Sequence, residues 1–294
     1  MIDTQKLKGY LAPSKRAINI LIILATLGAA VYYFLKHHDL VTNLKHVSPL
    51  VGIEVLGLYI VKLVVLILVF YATMRLVDTK LNLKENGYIN AYSLFMNFFV
   101  PGQTGPAYRG YYMKKHHKLR YLDYTLATIF YYMIYGTLSV IFVVTGSQPY
   151  YYTIPIIIIV ISIAATALWV YMRKHQKARI DLAVKNVLFL VIATLSQLII
   201  QSIIFFIEIH NAGSHASIGQ VVTYTGTAEL AVFAALTPGA IGIREGLLVL
   251  TEKLNHISSS TIVLANVIDR SVYIIFLLVL GLAILLLKVK ERLA

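Results

Sequence analysis

The chain has 294 residues, of which 59% are hydrophobic and only 13% charged, and its mean hydropathy is +0.75. Soluble domains carry about 45–50% apolar and about 25% charged residues, so an ordinary globular domain is excluded. Its 26 Lys and Arg against 13 Asp and Glu give a formal charge of +13, concentrated between long apolar runs. That placement reads as the positive-inside signature of a polytopic membrane protein rather than as a nucleic-acid surface. There is no cysteine, which removes disulfides, thiol nucleophiles and zinc–thiolate sites together.

In chain order, six runs are long enough to cross a core of about 30 Å, which needs roughly 20 helical residues. They are predicted at 17–35, 50–71, 122–145, 154–171, 182–207 and 257–287. The first follows a short basic stretch. It is too long for a typical signal-peptide core and lacks an A-x-A site, so it reads as a span.

Two further apolar stretches, 91–100 and 221–236, are short and interrupted. The first runs into Pro101, Gly102, Gln103, Thr104, Gly105 and Pro106, the second into Pro238, Gly239, Ala240, Ile241 and Gly242. Proline removes a helical N–H and glycine permits positive φ, so each interruption predicts a turn. With returning arms at 107–113 and 243–250, they predict re-entrant hairpins over 88–118 and 217–254. Irregular backbone at membrane depth is tolerated only where protein or water surrounds it, so both tips should face the interior.

The two turns share the spacing P-G-x-x-G, and an arginine follows each, Arg109 and Arg244, in registers that differ by two residues. The element order span, span, hairpin, span also occurs twice. Three crossings is an odd number, so one transmembrane domain over 1–294 is expected as an inverted-topology repeat, 1–146 and 147–294. With the N-terminus inside, 19 of the 26 basic residues fall in cytoplasmic segments and three outside. The remaining four, Lys62, Arg109, Arg244 and Arg270, fall within membrane segments. That bias predicts both termini in the cytoplasm.

A charge at a helix centre in a bilayer costs about 2.5–3.5 kcal/mol, so each buried charge needs a reason. Arg109 and Arg244 stand near the starts of returning helical arms. Free N–H groups and the positive dipole end there suit an anion, and phosphate above all. The alternative is that each caps a helix or pairs with a buried acid. Glu245 is not a partner for Arg244, because adjacent helical positions do not face each other. Lys62, with Glu54 two turns earlier, Glu229, Asp269 and Arg270 complete a set that reads as a polar cavity or as a self-neutralising network.

Tyr108 flanks Arg109; a headgroup path is one reading of it, and ordinary packing is the better one. Tyr131 and Tyr135 share a helix face and read as a packing seam. The pairs His37–His38 and His116–His117 lack metal-ligand spacing. No P-loop and no G-x-S-x-G run is present. No metal or cofactor is expected.

The run from Ser93 to Arg109, carrying Asn97, Gly102, Gly105 and Arg109, resembles the N-x4–5-G-x-x-G…R element of one family. Leu236 to Glu245, carrying Thr237, Pro238, Gly239, Gly242 and Glu245, resembles its T-P-G-G-[IL]-G-x-x-[ED] element, with Ala240 in place of the second glycine. That family is the flippase-like transmembrane region of lysylphosphatidylglycerol synthases. The resemblance implies an all-α polytopic fold and movement of a phospholipid or lipid-linked headgroup between leaflets of the cell membrane. No soluble aminoacyl-transfer domain follows position 287 here, so synthase activity is not expected.

The expected partners are membrane lipids, with a homodimer as one arrangement and no nucleic acid. The residues expected at the lipid are Arg109, Arg244, Glu245, Glu229, Asp269, Arg270, Asn97, Gln103, Tyr108 and Lys62. Rival readings are a scaffold for a membrane glycosyltransferase, a carrier of polyprenyl-phosphate sugars and an intramembrane enzyme. A scaffold needs no internal polar cavity, and an enzyme needs a nucleophile–base pair.

Overall fold

The computed structural model describes residues 48–99, 104–146, 180–231, 243–250 and 256–293, with Phe233 and Glu252 besides. Among them every regular element is a helix. They are α1 (Pro49–Arg75), α2 (Leu83–Phe99), α3 (Thr104–His117), α4 (Tyr121–Gly146), α5 (Val184–Asn211), α6 (Ile218–Ala231), α7 (Ile243–Leu250) and α8 (Ser259–Leu293).

Four are long and apolar enough to cross a membrane: α1, α4, α5 and the Ser259–Ile284 part of α8. These are four of the six expected spans. The other two, 17–35 and 154–171, lie outside the described residues, as do the tip residues Pro101, Gly102, Gln103, Pro238, Gly239 and Gly242. The arms on either side of the tips are helical: α2 packs on α3, and α6 on α7.

Local chemistry sets the helix ends. Ser48 accepts the Leu50 N–H at 3.3 Å, and Pro49, with no N–H to lose, opens α1. Before α5, Asp181 accepts from the Ala183 N–H at 2.9 Å and the Asn186 amide at 2.8 Å. Its own N–H donates to the Leu76 carbonyl at 2.6 Å, which ties the entry of α5 to the exit of α1. Arg120 grips Asp123 with two bonds of 2.7 Å at the start of α4. This hydrogen-bonded carboxylate raises the guanidinium's hold on its proton. At the end of α3, His117 meets Glu85 of α2 at 2.8 Å, and burial together with Glu85 pushes the Tyr112 phenol up to about 12.

Exposed apolar faces run along α1 (Leu50, Ile53, Ile60, Val64), α5 (Leu188, Ile192, Ile199, Ile203) and α8 (Ile275, Leu278, Leu282). Their helical spacing gives each helix an outward apolar stripe for lipid tails to cover. The inward faces form three apolar clusters, around Val69 and Ala127, around Val55 and Leu277, and around Phe205 and Tyr224. α4 and α6 cross closely. A Cβ at Gly226 would come within 2.5 Å of the Ser139 carbonyl and 2.7 Å of the Val143 nitrogen, so only glycine fits.

The packing pattern repeats. Exchanging α1 with α5, α2 with α6, α3 with α7 and α4 with α8 turns each main helix–helix contact into another that also occurs. Thus α4·α6 becomes α8·α2, α1·α2 becomes α5·α6, α3·α4 becomes α7·α8, and α1·α5 maps onto itself. The starts of α1 and α5 are separated by the same interval along the chain as the starts of α2 and α6.

Candidate functional site

All the described helices converge on one cavity of about 250 Å³. Helix α1 contributes Tyr59 and Lys62, α2 contributes Asn90, Ser93 and Asn97, and α3 contributes Arg109. Tyr131, Tyr132 and Tyr135 come from α4, Gln197 and Gln201 from α5, and Glu229 from α6. Arg244 on α7 and Asp269, Arg270 and Tyr273 on α8 close the wall. Lys62, Asn97, Arg109, Glu229, Arg244, Asp269 and Arg270, all singled out in the sequence, therefore meet in one place. Gln103 and the Glu245 side chain lie outside the described residues. Tyr108 does not line the cavity. Its ring packs 5.7 Å from Tyr92 and 6.4 Å from Tyr112, the packing role weighed for it.

Each polar side chain has a definable reason for its position. Arg244 donates through Nη1 to Asp269 at 2.9 Å, and the Tyr59 hydroxyl donates to the other oxygen of the same carboxylate. The pair is 11% and 2% exposed, so the acid is neutralised inside the protein. Of the two readings for Arg244, the carboxylate pair is present. Lys62 donates to Gln201 across the α1–α5 contact, with its ammonium 6.0 Å from the Tyr59 ring centre. Glu54 is exposed and does not serve as its counter-ion. Glu229 accepts from the Tyr135 hydroxyl, and the Tyr131 hydroxyl donates to Gln197 at 3.2 Å. The two tyrosines read as a packing seam thus hold polar groups of the cavity wall, a correction to the sequence reading.

Asn97 has a local task. Its Oδ1 accepts the Gly105 N–H at 2.7 Å, while the Thr104 hydroxyl donates to the Met96 carbonyl at 2.9 Å, which fixes the start of α3 against α2. Close approach needs glycine at 105, because a Cβ there would lie 2.6 Å from both Asn97 Oδ1 and the Ser93 carbonyl.

Arg109 differs from Arg244. Its Nε is buried with no hydrogen-bond partner, and none of the ion pairs among the described residues includes it. Its guanidinium carbon stands 5.1 Å over the Phe70 ring, and that of Arg244 stands 5.1 Å over Phe205. The two Phe–Arg pairs are equally spaced along the chain and are exchanged by the helix correspondence above. Stacking holds each guanidinium plane while leaving its in-plane N–H groups to other acceptors.

Two buried acids were not singled out, Asp123, which Arg120 grips, and Glu208. Glu208 lies in the last turn of α5 with 0% exposure, one residue beyond the predicted end of that span at 207. Among the described residues no group of three His, Asp or Glu side chains could hold a metal ion.

The wall thus presents four cationic side chains and two carboxylates, and both carboxylates already accept hydrogen bonds from the protein. Such a chamber, surrounded by helices with apolar outer faces, suits an anionic group. A family model described as the lysylphosphatidylglycerol synthase TM region matches residues 16–281. Comparison with curated proteins and with solved structures gives no significant match. With nearly the whole chain matched and every described helix an α-helix, the protein is a multi-pass membrane protein that belongs to the lysylphosphatidylglycerol synthase transmembrane-region family.

Proposed function

We propose that this protein is a lipid translocator, which moves a phospholipid or lipid-linked anionic headgroup between leaflets and performs no chemistry on it. The observation that carries this reading is Arg109, a cavity-lining cation with a buried, unspent donor and no carboxylate partner among the described residues. In water-poor surroundings a guanidinium fork is suited to phosphate oxygens, which it engages with two parallel hydrogen bonds. Arg244, held by Asp269, adds a second guanidinium to the same chamber, and Lys62 and Arg270 complete its positive wall. The acyl or prenyl chains stay in the bilayer.

The architecture in this reading is an inverted repeat. Its two hairpins, α2–α3 and α6–α7, enter the plasma membrane from opposite sides, and both termini are cytoplasmic. The exchange pattern of helix contacts and the matched Phe–Arg pairs support it. An internal repeat around a central site is the arrangement secondary transporters use to open alternately to each side.

The test is reconstitution into vesicles with a headgroup-labelled anionic phospholipid, quenched from one side. Arg109→Ala is expected to slow translocation by about ten- to a hundredfold, the loss of one charge-assisted hydrogen bond of about 1.5–3 kcal/mol. Arg109→Lys should restore part of the rate, because it keeps the charge and loses the fork. A wild-type rate in well-folded Arg109→Ala would end the phosphate-site reading.

A further inference from the structure

Glu208 is a buried ionisable group that the cavity wall does not include. It is 0% exposed, both carboxylate oxygens lack a hydrogen-bond partner, and it is not part of the cavity wall. Its neighbours along α5, Phe205 and Ile209, belong to the apolar cluster that includes Tyr224 and Leu248. An ionised carboxylate with no donor in such a place is far less stable than its protonated form. The groups that act on it electrostatically come from every side: Arg244 on α7, Asp269 and Arg270 on α8, Lys62 and Tyr59 on α1, and Tyr224 on α6.

Its position relative to Arg244 gives the carboxyl a use. Phe205, one turn before Glu208 on α5, carries the Arg244 guanidinium on its ring, while Asp269 accepts from its Nη1 at 2.9 Å. Arg244 therefore acts electrostatically on one carboxylate that is engaged, Asp269, and on one carboxyl that is not, Glu208.

We propose that Glu208 is a proton-binding site, and that the proton is the coupling ion of this protein. Protonated, Glu208 leaves Arg244 to Asp269 and to an anion in the cavity. When the proton leaves for water, the new carboxylate competes with Asp269 and with that anion for Arg244, and the cavity loosens its hold. Proton and anion therefore favour each other's binding, and the coupling is reciprocal. This rests on the reading of the cavity as an anionic-headgroup site. A proton fits better than a metal cation, which would need several oxygen ligands around the same point.

The experiment uses the full chain in lipid nanodiscs. Infrared difference spectroscopy across the neutral pH range, with no lipid ligand added, should show a protonated-carboxyl band in the wild type that Glu208→Gln lacks. Calorimetric titration with short-chain phosphatidylglycerol, at a pH where the infrared band shows Glu208 ionised in the free protein and in two buffers of different ionisation enthalpy, should then show proton uptake of up to one per lipid bound. Affinity should fall by up to about tenfold per pH unit once Glu208 ionises. Glu208→Gln, isosteric with the protonated side chain, should bind tightly at every pH without proton exchange. Should that variant fail to assemble, the proton count of the wild type decides alone. Lipid binding without proton exchange overturns the proposal, as does identical pH dependence in both proteins or dependence on sodium at fixed pH. If the wild type binds no anionic lipid, the cavity reading fails instead, and the infrared band still decides whether Glu208 holds a proton.

Discussion

Removing Arg244 should strand a charge, and the size of the penalty can be worked out from its surroundings. Asp269 is 2% exposed and accepts from Arg244 at 2.9 Å and from the Tyr59 hydroxyl. Breaking a buried ion pair by deleting one partner costs about 3–5 kcal/mol, because the remaining ion stays desolvated. Here Tyr59 stays in place, and a hydrogen bond to a charged acceptor contributes about 1.5–3 kcal/mol. Arg244→Ala is therefore expected near the low end, about 3 kcal/mol less stable. Adding Asp269→Asn removes the stranded charge and keeps an acceptor for Tyr59, so the double variant should regain at least half of that loss. Such non-additivity is the signature of two residues in contact. Thermal unfolding of the detergent-solubilised single and double variants measures it. A wild-type melting temperature for Arg244→Ala, or a double variant no more stable than the single, would refute the pair as a structural element.

Two further outcomes test the framework around the cavity. Gly105→Ala should lower stability by about 1–3 kcal/mol in the same melting assay, because the new methyl meets Asn97 and the Ser93 carbonyl at 2.6 Å. An unchanged melt would show that α2 and α3 do not approach this closely. The chain has no cysteine, so single cysteines report topology without background. Those placed at Lys45 and Ser147 should react with an impermeant reagent from outside, and those at Lys118 and Lys177 only after permeabilisation. Equal labelling of all four would sink the orientation.

Much of the cavity was legible because a bilayer makes charge conspicuous. Lys62, Arg109, Glu229, Arg244, Asp269 and Arg270 stand out in apolar runs, where each is too costly to be incidental, and all of them line one chamber. Tyrosine carries no such signal. Tyr59, Tyr131 and Tyr135 are common residues on apolar helix faces, and only the packing of α1 and α4 against their neighbours shows that their hydroxyls hold Asp269, Gln197 and Glu229. Asn97 lines the cavity and also carries a local task that the sequence does not display. An asparagine eight residues before a glycine N–H cannot be recognised as its acceptor until the chain turns back. Glu208 escaped because hydropathy ends a span at the first charge, whereas the helix of α5 continues through it to Asn211. The arginine register, offset by two relative to the P-G turns, also becomes intelligible. The starts of α1 and α5, the starts of α2 and α6, the phenylalanines and the arginines keep one interval along the chain, while the P-G turns and the starts of α3 with α7 and α4 with α8 depart from it.

The same correspondence shows where the two halves part company. The starts of α4 and α8 lie farther apart than that interval, at 121 and 259, so aligning these two helices sets Asp269 opposite Tyr131 and Arg270 opposite Tyr132. Both arginines lie 5.1 Å over their phenylalanines, but Arg244 is paired with Asp269, whereas the position of α4 that matches this acid is a tyrosine and Arg109 has no carboxylate partner among the described residues. A repeat that kept both arginines paired would have made a self-neutralising seam. One that left both unpaired would have carried two uncompensated charges, each at the intramembrane cost given above. Retaining the acid in one half alone leaves Arg244 anchored and Arg109 with an unspent donor, in a chamber whose remaining acid, Glu229, is held by Tyr135. The departure from symmetry, more than the symmetry, is what gives the cavity a position for an anion that the protein does not itself supply.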